Sequence, residues 1–299
     1  MAPRNLVVTA VAVGLIAALA GCVTSQVAKS GESGAPGCDR ECLIAVADRY
    51  LRALATRNPA PLPVARAARN TENGDVIPVG EGLWKRAGVL GAYGVKVVDP
   101  EAGAVAVQTI LQTEDGPVQL LLRLKVDKQQ ITELETLIAR EGDTCCWDLG
   151  NLEKLSGVFD AQVPLGARST RVELVRIAAD YFTALHTAGT AEYRRTVVDS
   201  GMERFENGKR TTNVVGGNRI IRRDAQTQLD SAMFGRIAVV DRRYQVVDTV
   251  RGTLLGIVVF EYPTSERPSE VIAEFFKIVD GRISEIRAVM VKQPSAGWK

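Results

Sequence analysis

The sequence predicts an α+β protein built from two tandem copies of one domain, each a leading helix followed by an antiparallel sheet. Three observations predict it. Residues Leu124–Ile138 read LKVDKQQITELETLI and residues Phe276–Met290 read FKIVDGRISEIRAVM. They align without a gap, pairing Lys125 with Lys277, Val126 with Ile278, Ile131 with Ile283, Thr132 with Ser284, Glu133 with Glu285 and Leu134 with Ile286. Further pairs recur in the same order: Tyr50-Leu51 with Tyr181-Phe182, Glu72-Asn73-Gly74 with Glu206-Asn207-Gly208, and Val98-Asp99 with Val247-Asp248. Each half also runs helix first and strands second, an order that excludes alternating βαβ units.

The first domain, residues 38–141, opens on a helical pattern. Leu43, Val46, Ala47, Tyr50, Leu51 and Leu54 recur at intervals of three and four, and so share one face. Asn58-Pro59-Ala60-Pro61-Leu62-Pro63 ends it, since each proline removes a donor and biases its predecessor toward extended geometry. A turn-rich section with Asn73-Gly74 and Trp84 follows. The β-branched runs VKVV, AVAVQTILQ, PVQLLLRLKV and ITELETLI then alternate with short polar links suited to hairpins. Residues 142–169, rich in Gly, read as a linker. The second domain, residues 170–292, starts at Thr170-Arg171-Val172-Glu173, a capping box. Leu174, Ile177, Ala178, Tyr181, Phe182 and Leu185 form its apolar stripe, and Gly189 ends the helix. A polar, turn-rich section runs to about Ser231. The strands IAVV, RYQVV, GTLLGIVVFEY, VIAEFFKIV and RISEIRAVMV close the domain, leaving 293–299 as a tail.

The first 21 residues read as a targeting segment. Arg4 gives a positive flank, and Leu6–Ala20 is an apolar run too short to span a bilayer. Leu19-Ala20-Gly21-Cys22 resembles the lipobox of bacterial lipoproteins. That resemblance implies lipidation at Cys22 and attachment to a membrane facing the extracytoplasmic side, with residues 22–37, rich in Gly, Ser and Ala, as a flexible tether. The alternative is a cleaved secretory signal followed by an unmodified cysteine. At 299 residues and a net charge of +2 the chain lacks the concentrated basic face that nucleic-acid binding needs.

Cys38, Cys42, Cys145 and Cys146 remain. An even count in an exported chain argues for disulfides. A bond between the neighbours Cys145 and Cys146 is strained, so Cys38 and Cys42 are expected to cross to that pair and close a long loop, for roughly 4–5 kcal/mol on a chain-entropy estimate. Zinc is the alternative, but the spacing does not match the usual paired ligand sets, and no metal or cofactor is expected.

The leading Tyr-x-x-x-Leu helix, the turn-rich middle and the closing K-[VI]-x-x-x-x-I-[ST]-E-[LI] strands resemble the NTF2-like (SnoaL-like, cystatin-like) superfamily. More narrowly, the order CDRECL, TENG, GEGLW, DPEAG, LKV, ITELET, a second ENG and FFKIVDGRISEIRAVM resembles the tandem family DUF8021. The resemblance implies a curved sheet wrapped around helices, a cone-shaped cavity, and pairing of the two domains or homodimerisation. It also implies functions ranging from isomerases, cyclases and hydrolases to proteins without activity, so the fold does not decide the chemistry.

By the same resemblance Tyr50 and Tyr181 stand where a ketosteroid isomerase-like protein donates a hydrogen bond to an oxyanion. Both are equally suited to a helix core. Glu72, Asn73, Glu206 and Asn207 fall near the general base of such an isomerase, although Asn cannot take a proton and Glu-Asn-Gly also spells a turn. His186, the only histidine, suits the helix C-terminus, with Asp180 or Asp199 as conceivable dyad partners. Of the second domain's arginines, which include Arg204, the pair Arg222 and Arg223 are candidates to select an acidic ligand. The expected roles are therefore three: a binding module for a small, partly apolar or acidic ligand or a protein partner, an acid/base enzyme using Tyr181 and Glu206, or a structural pseudo-dimer. Nucleotide, serine-hydrolase and metalloprotease motifs are missing from the sequence.

Overall fold

Two helices anchor the two repeats. In the first, Asp39 accepts from the Cys42 backbone at 2.9 Å and starts α1, Arg40–Ala55, whose buried face carries Leu43, Val46, Ala47, Tyr50, Leu51 and Leu54. In the second, the capping box of Thr170 and Glu173 starts α3, Arg171–Thr187, burying Leu174, Ile177, Ala178, Tyr181, Phe182 and Leu185. The computed structural model describes residues 37–155, 157–234 and 237–292. The targeting segment, Cys22, most of the tether and the C-terminal tail lie outside the described residues.

Each helix lies on a six-stranded sheet. The first sheet runs β2-β1-β6-β5-β4-β3, from β1 (Val64–Glu72), β2 (Asp75–Val76), β3 (Ala87–Asp99), β4 (Ala104–Thr113), β5 (Gly116–Asp127) and β6 (Gln130–Ala139). The second repeats this as β8-β7-β12-β11-β10-β9, from β7 (Val198–Glu206), β8 (Lys209–Arg210), β9 (Ala238–Asp248), β10 (Thr253–Glu261), β11 (Glu270–Val279) and β12 (Arg282–Lys292). The pairs are antiparallel except β1 with β6 and β7 with β12, which are parallel. This is the tandem α+β architecture that the repeated sequence predicts.

The turn-rich sections hold strands that the pattern did not reveal. Val64–Glu72 and Val198–Glu206 are strands, each returning through an Asn-Gly turn with positive φ at Asn73 and Gly74, and at Asn207 and Gly208. The runs IAVV and RYQVV are one strand, β9, interrupted by a left-handed Asp241 and a register shift against β10.

The sheets pack against each other through the faces away from their helices. Tyr93, Val95, Val97, Ala106, Leu121 and Leu137 of the first meet Val246, Leu255, Ile257, Ala273, Phe275 and Val289 of the second in one apolar core. Strand alternation divides labour: Val259, Val289 and Val291 face this core, while Phe260 and Met290 face the second repeat's own interior. Reciprocal ion pairs seal the seam. Arg40 at the start of α1 donates to Asp248 at 2.8 and 2.7 Å, and Arg171 at the start of α3 donates to Asp99. Asp99 and Asp248 are buried at the ends of β3 and β9, so each repeat's helix is tied to the other's sheet.

The linker forms part of this core. Leu149–Leu152 is a short helix, α2, with Leu149, Leu152 and Phe159 buried between the sheets. It meets the second repeat so closely that a Cβ on Gly208 would stand 2.2 Å from the Asp148 carbonyl oxygen.

The cysteine framework differs from the expected crossing pairs. Cys38 and Cys42 are bonded to each other, one turn apart around the N-terminus of α1. Cys145 and Cys146 are free thiols, the first exposed and the second buried. The crossing bonds would hold residues 145–146 beside the start of α1, whereas the Thr144–Asp148 segment is drawn to the second sheet. Asn207 Nδ2 donates to Thr144 Oγ1 at 3.1 Å, and Asp148 N donates to the Asn207 carbonyl at 2.9 Å.

Candidate functional site

The two repeats treat their cone interiors differently. In the first, residues 77–86 between β2 and β3 are short and fold into a 3-10 turn, Gly82–Lys85, that drives Leu83 and Trp84 into the cone. Trp84 meets Tyr50 edge-on at 5.3 Å between centroids, and both are almost wholly buried. Glu72 holds the plug by accepting from Leu83 N at 2.8 Å. Burial raises the Glu72 and Tyr50 pKa values, the first opposed by that same backbone bond. Tyr50 and Glu72 therefore serve packing.

In the second repeat the corresponding segment is much longer, and its residues 211–234 form a wall. Part of it is α4, Ala225–Asp230. Behind it lies a cavity of about 470 Å³ lined on its apolar side by Ile220, Ile221, Met233, Phe234, Ile237 and Phe260, and on its polar side by Cys145, Cys146, Arg204, Glu206, Arg267 and Glu270. Among the described residues that line this cavity, none comes from the first repeat.

Arg204 organises the polar side. It is buried on β7, and its Nε meets Glu206 Oε1 at 2.8 Å and Thr211 Oγ1 at 3.1 Å. Its other nitrogens donate to the Tyr181 hydroxyl at 3.3 Å and Gln228 Oε1 at 2.6 Å. Gln228 in turn donates to the Thr211 and Ile220 carbonyls, so Arg204 and Gln228 hold the wall on the sheet. The guanidinium also lies 5.3 Å from the Phe234 ring centroid. At the rim Arg267 stacks at 4.1 Å over Tyr262, and both donate to Glu270 at 2.6 Å.

Tyr181 and Glu274 stand outside the cavity lining. Burial raises the Tyr181 pKa, so it stays a neutral hydroxyl. Glu274, on β11, is fully enclosed; burial raises its pKa to about 8, with Arg204 opposing and Glu206 adding to the shift. Its Oε2 has no hydrogen-bond partner among the described residues. The first repeat carries Asn70 and Leu122 at the positions of Arg204 and Glu274, so this arginine and glutamate have no charged counterparts there.

The remaining sequence candidates fall elsewhere. Asn73 Oδ1 accepts from Ile138 N at 2.7 Å, and Asn207 Oδ1 from Met290 N at 2.8 Å, so both clamp the Asn-Gly turn to the closing strand. His186 is exposed and its Nδ1 accepts from Val239 N at 3.0 Å. Arg222 and Arg223 lie outside the cavity lining, and Asp180 is occupied by Arg176 at 2.8 Å. The sequence does not single out Arg267, Glu270 or Glu274, and it offers Cys145 and Cys146 only as disulfide partners of Cys38 and Cys42. Only a fold places residues 145–146 and 262–274 around one arginine.

Among the described residues, Cys145, Cys146 and Glu206 form a cluster whose ligand atoms all lie within 4.8 Å of one another. The two sulfurs stand only 2.6 Å apart. A tetrahedral ion with metal–sulfur bonds near 2.3 Å would hold them roughly 3.7 Å apart, so the pair as placed does not fit one.

The family model described as "Domain of unknown function (DUF8021)" matches residues 38–138 and 167–290. None of the curated proteins matches the chain. Solved structures similar to parts of it include AusH from Aspergillus nidulans, 9% identical over 43% of this chain and 90% of that one, with a TM-score of 0.31. A putative isomerase from Rhodopseudomonas palustris is 16% identical over 41% and 91%, with a TM-score of 0.30. An NTF2-like protein from Cytophaga hutchinsonii is 13% identical over 41% and 99%, with a TM-score of 0.28.

Proposed function

The chain belongs to the family of the domain of unknown function DUF8021, and from that premise we propose that it is a binding module whose second repeat takes a small, partly apolar molecule. The observation that carries this reading is the asymmetry of the two cones: Trp84 fills the first, while residues 211–234 and Ile237 wall off about 470 Å³ in the second. Its apolar side would receive a hydrocarbon or ring system. Its polar side offers an arginine with fixed orientation and, at the rim, Arg267, which suits an acidic or hydrogen-bond-accepting end. The lipobox-like Leu19-Ala20-Gly21-Cys22 supports attachment to the outer side of a bacterial membrane, the tether giving the module reach.

An acid/base enzyme is the second reading, favoured by the convergence of Tyr181, Glu206 and the pKa-raised Glu274 on Arg204. Against it, Tyr181 and Glu274 do not line the cavity, and one Glu206 oxygen is bound to Arg204. Binding needs none of these groups to be free.

Titration with anilinonaphthalene sulfonate, an aromatic anion, tests the reading. The full chain should bind it with enhanced fluorescence. Met290 lines the cavity, and Met290→Trp, which adds a bulky ring there, should weaken binding about tenfold or more, equivalent to about 1.4 kcal/mol. Equal binding by the variant would place the probe elsewhere and remove the cavity from the account. Cys22→Ala should release the chain from membranes; a variant that stays bound refutes the anchor.

A further inference from the structure

Cys145 and Cys146 sit in the wall of the second cavity, in an otherwise irregular stretch, 2.6 Å apart at sulfur. That is well inside the separation of two unbonded sulfurs and about 0.6 Å beyond a disulfide bond. The two thiols differ in access: Cys145 is exposed and Cys146 is buried. Cys146 lies between Cys145 and Glu206, its Sγ 3.6 Å from Glu206 Oε2 and within reach of either as a donor. The other Glu206 oxygen is fixed by Arg204 at 2.8 Å, so the carboxylate is held in place.

We propose that Cys145 and Cys146 are a thiol–disulfide exchange site in the cavity wall, closed to a vicinal disulfide by a small-molecule disulfide and reopened by a small-molecule thiol. The exposed Cys145 thiolate attacks one sulfur of the incoming disulfide, forming a mixed disulfide and expelling one thiolate. Cys146 then gives up its proton toward Glu206 Oε2, and its thiolate attacks Cys145 Sγ, expelling the second thiolate. Two protein thiols are oxidised, one external disulfide is reduced to two thiols, and the two protons released by the cysteines end on those products. Before the attack the single Cys146 S–H is given to Cys145, which favours the thiolate there, and the same contact, with burial, holds Cys146 protonated. Once Cys145 is in the mixed disulfide that proton turns to Glu206 Oε2. The bond between adjacent residues is strained and so is easily reduced, which makes the site reversible. Closure also removes the S–H beside Glu206 Oε2 and leaves that oxygen to accept from whatever occupies the cavity.

The test uses the full chain, oxidised glutathione, alkylation and peptide mapping. After oxidised glutathione, alkylation should be lost at both Cys145 and Cys146, and the peptide carrying them should be lighter by two hydrogens with no glutathione attached. Dithiothreitol should restore both labels. Cys146→Ser should instead keep one glutathione on Cys145. The proposal is overturned if both residues still alkylate, if the natural chain keeps a glutathione adduct, if either residue maps to Cys38 or Cys42, or if the variant traps nothing. None of these readouts requires a ligand in the cavity, so failure here and failure of the binding reading are separate results.

Discussion

Replacing Arg204 by Leu would leave Tyr181, Glu206 and Gln228 without their shared donor inside the protein. Breaking a buried pair by removing one partner costs about 3–5 kcal/mol, and the unfolding midpoint in urea should fall accordingly. Glu274 gives a pH signature. The folded protein keeps its proton up to about pH 8, while the unfolded chain releases it above the ordinary value of 4.5. Between those limits the unfolded state binds fewer protons, so stability falls as pH rises from about 5 to about 8 and then levels off. The shift corresponds to a loss on the order of 5 kcal/mol. Glu274→Gln should flatten that slope when urea midpoints are compared at pH 5 and pH 8; an unchanged slope would clear Glu274 of responsibility. At this scale the sequence showed Tyr181 and Glu206 through their repetition, but not Glu274. Its place in the first repeat is Leu122, and nothing in VIAEFFKIV distinguishes a buried glutamate from an outward one.

The elements most readable in the sequence were those with strong periodicity or capping, α1, α3 and the closing hairpins. The strands β1 and β7 were not, because VARAARNTE and VDSGMERFE hold few large apolar residues and lie one strand in from the sheet edge, beside a strand of only two residues. The Asn-Gly turns were legible as turns, and their second task was not. Asn207 bonds both the N–H and the carbonyl of Met290, so Asn207→Ala would leave two buried backbone groups unsatisfied and cost about 2–3 kcal/mol, readable as a lower thermal midpoint. The cysteine pairing failed as a prediction for a similar reason: it depends on which sheet the linker joins. Since the observed Cys38–Cys42 bond closes only a short loop, Cys38→Ser with Cys42→Ser should lower stability by about 2 kcal/mol at most, rather than the 4–5 kcal/mol of a long crosslink.

Over the whole molecule, duplication explains both the likeness of the repeats and the surface that joins them. Phe275, Leu255 and Leu121 are fully buried between the sheets, and Arg40–Asp248 mirrors Arg171–Asp99 across the seam. The repeats should therefore unfold together, and Phe275→Ala should lower one common midpoint by the equivalent of about 3–5 kcal/mol instead of splitting the transition in two. Duplication was legible from two aligned fifteen-residue stretches. Its consequence for function was not, because the same framework holds a tryptophan plug in one copy and a longer wall in the other. Native mass spectrometry of the full chain, beside its Met290→Trp variant, tests that difference most directly. A small molecule retained by the natural protein and lost from the variant is the predicted result; a molecule retained equally by both would contradict a binding site in the second cone.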